Sequence, residues 1–288
     1  MKRYRVVHRT DYEYDKPVSE SHGRAHLHPR AETGQQVVSR SVAVTPDPDE
    51  AHDHVDYYGN GSTYFRLATP HRELTVLATS EVVVDRAPVD WQALDDGTVP
   101  ARWADVPPLE REFVLPSPLV PRLDEVEQYS EQHLTPGAPL GSALRALLAA
   151  LHADFAYVAG ATTVSTPLTT VLEQRQGVCQ DFAHVMIGCM RAAGLPARYV
   201  SGYLQTLPPP GKPRLVGADA SHAWVSVLTP THGWVDLDPT NDQATDERYV
   251  VLARGRDYSD VPPLKGVIFT RSERSTLTVS VDVEPLEV

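Results

Sequence analysis

The stretch Gly177-Val178-Cys179-Gln180-Asp181-Phe182-Ala183-His184 decides how the second half of this chain is read. A glycine, free to turn sharply, precedes a cysteine. Behind it Phe182, Ala183, Met186, Ile187 and Met190 recur at helical spacing and predict a helix from about Val178 to Ala193. Gly194-Leu195-Pro196 stops that helix. Cys179 therefore stands at a helix N-terminus, where unpaired N–H groups and the dipole favour a thiolate. Asp181, in the first turn, suits the same end. Cys189 falls mid-helix among Ile187, Gly188 and Met190 and reads as a small buried hydrophobe.

Upstream, Leu140, Leu144, Leu147, Leu148 and Leu151 predict an amphipathic helix over Pro139 to His152. Downstream come short strands: Arg198 to Leu204, His222 to Leu228, Gly233 to Leu237 and Tyr249 to Ala253. Leu277, Val279, Val281 and Val283 then alternate with polar residues, a half-buried strand. The first 86 or so residues read as strands over Arg3 to Tyr14, Gly23 to Pro29, Gln36 to Val44, Ser62 to Leu67 and Glu73 to Val84. Turn signals at Asp15-Lys16-Pro17, Pro46-Asp47-Pro48 and Gly59-Asn60-Gly61-Ser62 separate them. The fold class is α+β, with residues 1–86 an N-terminal antiparallel β-sandwich-like domain, 87–135 a Pro-rich connector and 136–288 a helix-on-sheet core. The β domain is expected to be independent of that core.

Composition removes several functions. The chain has 288 residues, 41% hydrophobic and 22% charged, so it can bury a core without metal or disulfide staples. Lys plus Arg number 26 against 38 Asp plus Glu, a net charge of −12, which argues against nucleic acid or an anionic membrane surface as partner. Two cysteines are too few for a disulfide framework or a four-cysteine zinc site. No stretch approaches a membrane span and no apolar leader follows the basic start, so a cytoplasmic protein with reduced thiols is expected. Nucleotide-binding, zincin and serine-hydrolase motifs are missing from the sequence. His22, His26 and His28 alternate on one strand, with His52 and His54 further on, but no Cys or clear carboxylate completes a site. Neither a metal nor another cofactor is expected.

Two further segments give Cys179 a context. In Asp219-Ala220-Ser221-His222-Ala223-Trp224-Val225, His222 heads an alternating strand. In Gly233-Trp234-Val235-Asp236-Leu237-Asp238-Pro239-Thr240-Asn241 a second strand ends in an acid. Joined by the turn Thr229-Pro230-Thr231-His232, these strands are hairpin neighbours, and His222 and Asp238 at its outer ends are expected to face each other. A helix-tip cysteine with histidine and aspartate on an adjoining sheet is the nucleophile, base and orienting group of thiol acyl chemistry. Asp236, on the same strand face, is the rival third member. His184 is off the face of Cys179 and reads as structural; His232 reads as solvated.

These segments, with Arg191-Ala192-Ala193-Gly194-Leu195-Pro196-Ala197-Arg198-Tyr199-Val200-Ser201-Gly202-Tyr203 and the tail Gly255 to Val267, resemble the bacterial transglutaminase-like superfamily. His8 to Tyr14, His28-Pro29-Arg30 and Gly59-Asn60 are similar to its N-terminal β domain. The resemblance implies a papain-like core with Cys179 as nucleophile, His222 as base and Asp238, rather than Asp236, as orienting acid. Gln180 stands where animal transglutaminases carry a tryptophan. Hydrolysis of a peptide or amide bond in a peptide or protein substrate is therefore favoured. Transfer of glutamine acyl groups to amines is the alternative, and a non-catalytic protein-binding module the third reading. The Cys179 N–H is the expected first oxyanion donor; Tyr157 and Gln174 are candidates for the second. Trp224 and Trp234 are expected to wall the cleft.

One consequence is testable on the thiols alone. Limited iodoacetamide followed by peptide mapping should alkylate Cys179 well before Cys189. Equal labelling would remove the nucleophile assignment.

Overall fold

The computed structural model describes residues 1–100, 106–206 and 220–287. Asp219, in the polar turn expected ahead of His222, and residues 101–105 of the connector lie outside the described residues.

A single 24-residue strand, β1 (Lys2–Ala25), organises the first part of the chain. Its alternation puts Tyr4, Val6, His8 and Thr10 on a buried face. The break expected at Asp15-Lys16-Pro17 is instead a register shift between Glu13 and Val18, and one strand replaces two. The further strands are β2 (Gln35–Thr45), β3 (Glu50–Val55), β4 (Gly61–Leu67) and β5 (His71–Val84). β5 pairs the first half of β1 and carries β2 outside it. β4 pairs the second half and carries β3. Too polar to be legible as a strand, β3 completes the hairpin with β4, its turn running from Asp56 to Asn60.

The middle of the chain opens with α1 (Trp91–Leu94), a 3₁₀ turn over Pro108–Val114, and α2 (Asp124–Glu131). The helix α3 (Leu140–Asp154) then leads to β6 (Ala156–Tyr157), α4 (Leu168–Gln174), β7 (Gln176–Gly177) and α5 (Cys179–Ala192). A second antiparallel sheet follows: β8 (Ala197–Leu204), β9 (Ala220–Thr229), β10 (Gly233–Asp238), β11 (Gln243–Ala244) and β12 (Tyr249–Gly255), in the order β11-β10-β9-β8-β12. α5 packs across β8 and β9, with Phe182, Ala183, Met186, Ile187 and Met190 all buried.

The chain then returns to where it began. β13 (Leu264–Thr270) pairs Val18 to Ala25 of β1, and β14 (Ser275–Leu286) pairs Arg3 to Tyr14. Residues 264–286 thus belong to the N-terminal sheet, and the expected 136–288 core ends before them. The strand at 277–283 is where its alternation put it; its partner, more than 260 residues away in sequence, left no local signal. β1 is flanked throughout, by β5 and β4 on one side and by β14 and β13 on the other.

Nor is the β domain independent. One apolar cluster runs from Tyr4, Val6 and Val82 through to Leu144, Ile187 and Val225. On the edge of β12, two amide side chains of the N-terminal region act as a surrogate strand. Gln35 accepts from Val251 N and donates to Val251 O, both at 2.8 Å. Asn60 accepts from Arg254 N at 2.8 Å and donates to Arg254 O at 2.9 Å. Each orphaned backbone group there would cost about 1–3 kcal/mol.

Deleting residues 1–86 should therefore leave β13, β14 and the edge of β12 unpaired. The 87–288 fragment is expected to lack a cooperative thermal transition in circular dichroism and to regain one when residues 1–86 are co-expressed. A monomeric, cooperatively melting fragment on its own would contradict the shared core.

Candidate active site

Cys179 is the first residue of α5, so its N–H has no partner within the helix. It is half-buried, whereas Cys189 is fully buried and its thiol is pushed up to about 12 by desolvation. The turn before Cys179 is held by Asp181, whose Oδ2 accepts from Val178 N at 2.8 Å and Thr162 Oγ1 at 2.6 Å. Gly177 is required by space, not by a left-handed backbone: a Cβ there would lie 2.5 Å from Asp181 Oδ2. Burial raises the Asp181 carboxyl, and the hydrogen bonds from Thr162 and Val178 oppose it.

On the sheet, β9 and β10 pair with Leu237 opposite Val225. Asp238 is thus diagonal to His222 rather than facing it, on the same side of the hairpin. The side chains still meet, at 2.7 Å between His222 Nε2 and Asp238 Oδ2. Cys179 lies near enough to the His222 ring to help raise it, and with Nε2 taken by Asp238 the other ring nitrogen, Nδ1, is free of that carboxylate. Asp238 is fully buried. It accepts from Tyr249 OH and Asn241 Nδ2 at 2.7 Å on Oδ2, and from Thr240 N and Asn241 N at 3.0 and 3.3 Å on Oδ1. Burial alone would raise this carboxyl, but its donors, His222 foremost, hold it below the usual carboxylate range. Burial likewise pulls His222 down; the bonds and charges of Asp238 and Cys179 outweigh it and raise the ring to about 10.

The rival acid is otherwise engaged. Asp236 takes both terminal nitrogens of Arg254 at 3.0 Å and the Trp224 indole at 3.1 Å. Arg254 is shared with Glu32 of the N-terminal region at 2.7 Å. The two tryptophans do not line the cleft. Trp224 is fully buried behind His222, ring centroids 6.1 Å apart, in space that only a glycine at 202 leaves open. Trp234 lies under Arg198, 3.8 Å from the guanidinium, and edge-on to Phe113.

Of the two oxyanion candidates, Tyr157 pairs with Gly177, and its phenol is raised by burial and, less, by the neighbouring Cys179. Gln174 instead accepts from Gln176. His184 is buried, pushed down to about 4 by desolvation, and accepts from Tyr258 N. His22 and His28 are hydrogen-bonded to Tyr64 and Thr63, and His26 to Pro262 O. Among the described residues no group of three metal-ligating side chains converges. Tyr249 and Thr162 escaped the sequence reading. Both reach the site from elements whose position depends on the tertiary fold, whereas Asn241 lies three residues from Asp238 in the chain.

Comparison with known proteins follows this geometry. Residues 4–83 match the bacterial transglutaminase-like N-terminal region and 127–239 the transglutaminase-like superfamily. An uncharacterized protein of Mycobacterium tuberculosis is 46% identical over 99% of this chain and 93% of its own length. The chain belongs to the transglutaminase-like superfamily. Its fold is that of a crystal structure from Cytophaga hutchinsonii described as "a Putative Cysteine Protease", with a TM-score of 0.82 at 20% identity, covering all of this chain and 91% of that one. A protein-glutamine gamma-glutamyltransferase of Pseudomonas aeruginosa is 38% identical over 104 residues, 33% of this chain and 16% of that protein.

The raised His222 value carries a sign. The protonated ring stabilises the fold fully below its ordinary 6.5, and that contribution is lost as pH rises through about 10. In an NMR titration the native ring should hold its proton to near that value, and Asp238→Asn should let it go much closer to neutral pH. A native ring titrating at the ordinary histidine value would refute the pairing.

Proposed function

We propose that this member of the superfamily is a cysteine-dependent acyl-transfer enzyme that hydrolyses peptide or amide bonds in a peptide or protein substrate. One observation carries the reading: His222 is hydrogen-bonded at 2.7 Å to the buried Asp238, on the sheet against which the helix beginning at Cys179 packs. In the proposed reaction Cys179 Sγ attacks the carbonyl carbon and His222 passes its proton to the leaving amine. Asp238, an acceptor fixed by four partners, keeps the ring turned toward the thiol. The developing oxyanion is placed against the Cys179 N–H, with the Tyr157 hydroxyl as the candidate second donor. Water then attacks the thioester, His222 taking its proton. No step calls for a cofactor.

Hydrolysis is preferred to amine transfer because an aromatic tunnel that would exclude water is not provided by Trp224 or Trp234, which pack elsewhere. The name of the Cytophaga protein agrees with hydrolysis, and that of the Pseudomonas protein with amine transfer. A non-catalytic binding module would have no use for a buried carboxylate tuned onto a histidine beside a thiol. An unpaired Cys179 suits a reducing compartment, and we place the protein in the cytoplasm on that ground.

The decisive measurement is partition of the acyl-enzyme. It should be trapped on Cys179 and offered water alone, then water with a millimolar primary amine. Free acid is the expected main product in both; an amine adduct as nearly all the product would make the protein a transglutaminase. Cys179→Ala should abolish turnover, and His222→Ala should lower it by about a hundredfold or more.

A further inference from the structure

The segment that follows α3 forms a collar around the nucleophile. Tyr157 pairs with Gly177, and Val158 N donates to Gly177 O at 2.9 Å, just before Cys179. Thr162 holds Asp181, and Val164 O accepts from Gln180 Nε2 at 3.3 Å, just after it. A turn closes between Val158 and Ala161, and Thr163 and Thr166 brace the far end. The collar is therefore pinned on both sides of Cys179 by backbone and short side chains.

Its large exposed side chains are uncharged and mostly apolar, beside the small polar Thr163 and Ser165. Tyr157 is 57% exposed, Val158 39% and Val164 57%. Between residues 106 and 263 the only other exposed large apolar side chains among the described residues are Leu109 and Leu115. No charge interrupts the sequence from Phe155 through Leu172, in a chain that is 22% charged. Three exposed side chains of this kind grouped next to Cys179 offer apolar area that a bound peptide side chain would take out of water. A wall without charge cannot select a charged side chain, because it offers no partner for the ion it would desolvate.

We infer that Tyr157, Val158 and Val164 form the specificity wall of the site, and that the substrates are peptides whose acyl-donating residue bears an uncharged, apolar side chain. This rests on the acyl-transfer reading and narrows it.

The test compares two peptidyl chloromethyl ketones that differ only in their terminal residue, leucine or aspartate. Each labelling rate at Cys179 is divided by the iodoacetamide rate on the same protein, which cancels any change in the thiol itself. In the native chain the leucine probe should exceed the aspartate probe. Val164→Asp and Val158→Asp should each lower the normalised leucine rate by about tenfold, as expected for losing one buried valine contact. Val164→Leu should retain it. Equal normalised rates for both probes, or a leucine preference untouched by both aspartate variants, would overturn the inference while iodoacetamide still labelled Cys179. Failure of iodoacetamide at Cys179 would instead take away the acyl-transfer reading, and this one with it.

Discussion

A carboxylate with no access to water is the constraint around which this molecule is arranged. Asp238 is fully buried, and an ion in that position survives only if donors replace its hydration. They come from three places: the backbone and amide at 240–241, the Tyr249 phenol, and His222. These donors, His222 foremost among them, hold the carboxyl below the usual carboxylate range against burial, and the carboxylate in turn raises the imidazole. Removing one donor would leave the charge partly unsatisfied, a larger penalty than the hydrogen bond itself would suggest.

The arrangement reaches across the whole chain because Tyr249 begins β12. That strand pairs β8 on one edge and meets the Gln35 and Asn60 amides on the other. Arg254, also on β12, joins Glu32 to Asp236 and so ties the N-terminal region to the face that carries His222 and Trp224. The N-terminal sheet provides none of the reacting groups, yet it fixes the strand that aims one of their partners. Gln35 and Asn60 imitate the peptide unit closely because a side-chain amide has the same donor and acceptor.

Much of this was legible from local pattern. The helix behind Cys179 and the β9–β10 hairpin follow from apolar periodicity and turn residues, which act over a few residues. Which aspartate meets His222 did not follow from pattern alone, since both lie on one strand face; Arg254, eighteen residues on, engages Asp236 and leaves the histidine to Asp238. The tryptophans were misplaced for a related reason. An aromatic on a strand two residues from a histidine can face the cleft or the core, and the choice depends on whether Gly202, diagonal to it on the neighbouring strand, leaves room. The separation into two domains failed at β13 and β14, because strand pairing is set by contacts at a sequence distance that no window samples.

The position of β14 bears on synthesis of the chain. Arg3 is paired with Leu286, so β1 is made about 280 residues before the partner on its far edge. Until then β1 has only the neighbours supplied by β4 and β5, and its other edge is open. A growing chain carries its thiol from residue 179 onward, but the sheet that braces β12 is not closed. The same closure makes loss of the final strand costly: an incomplete product presents a long unpaired β1 edge, the kind of surface that recruits other strands.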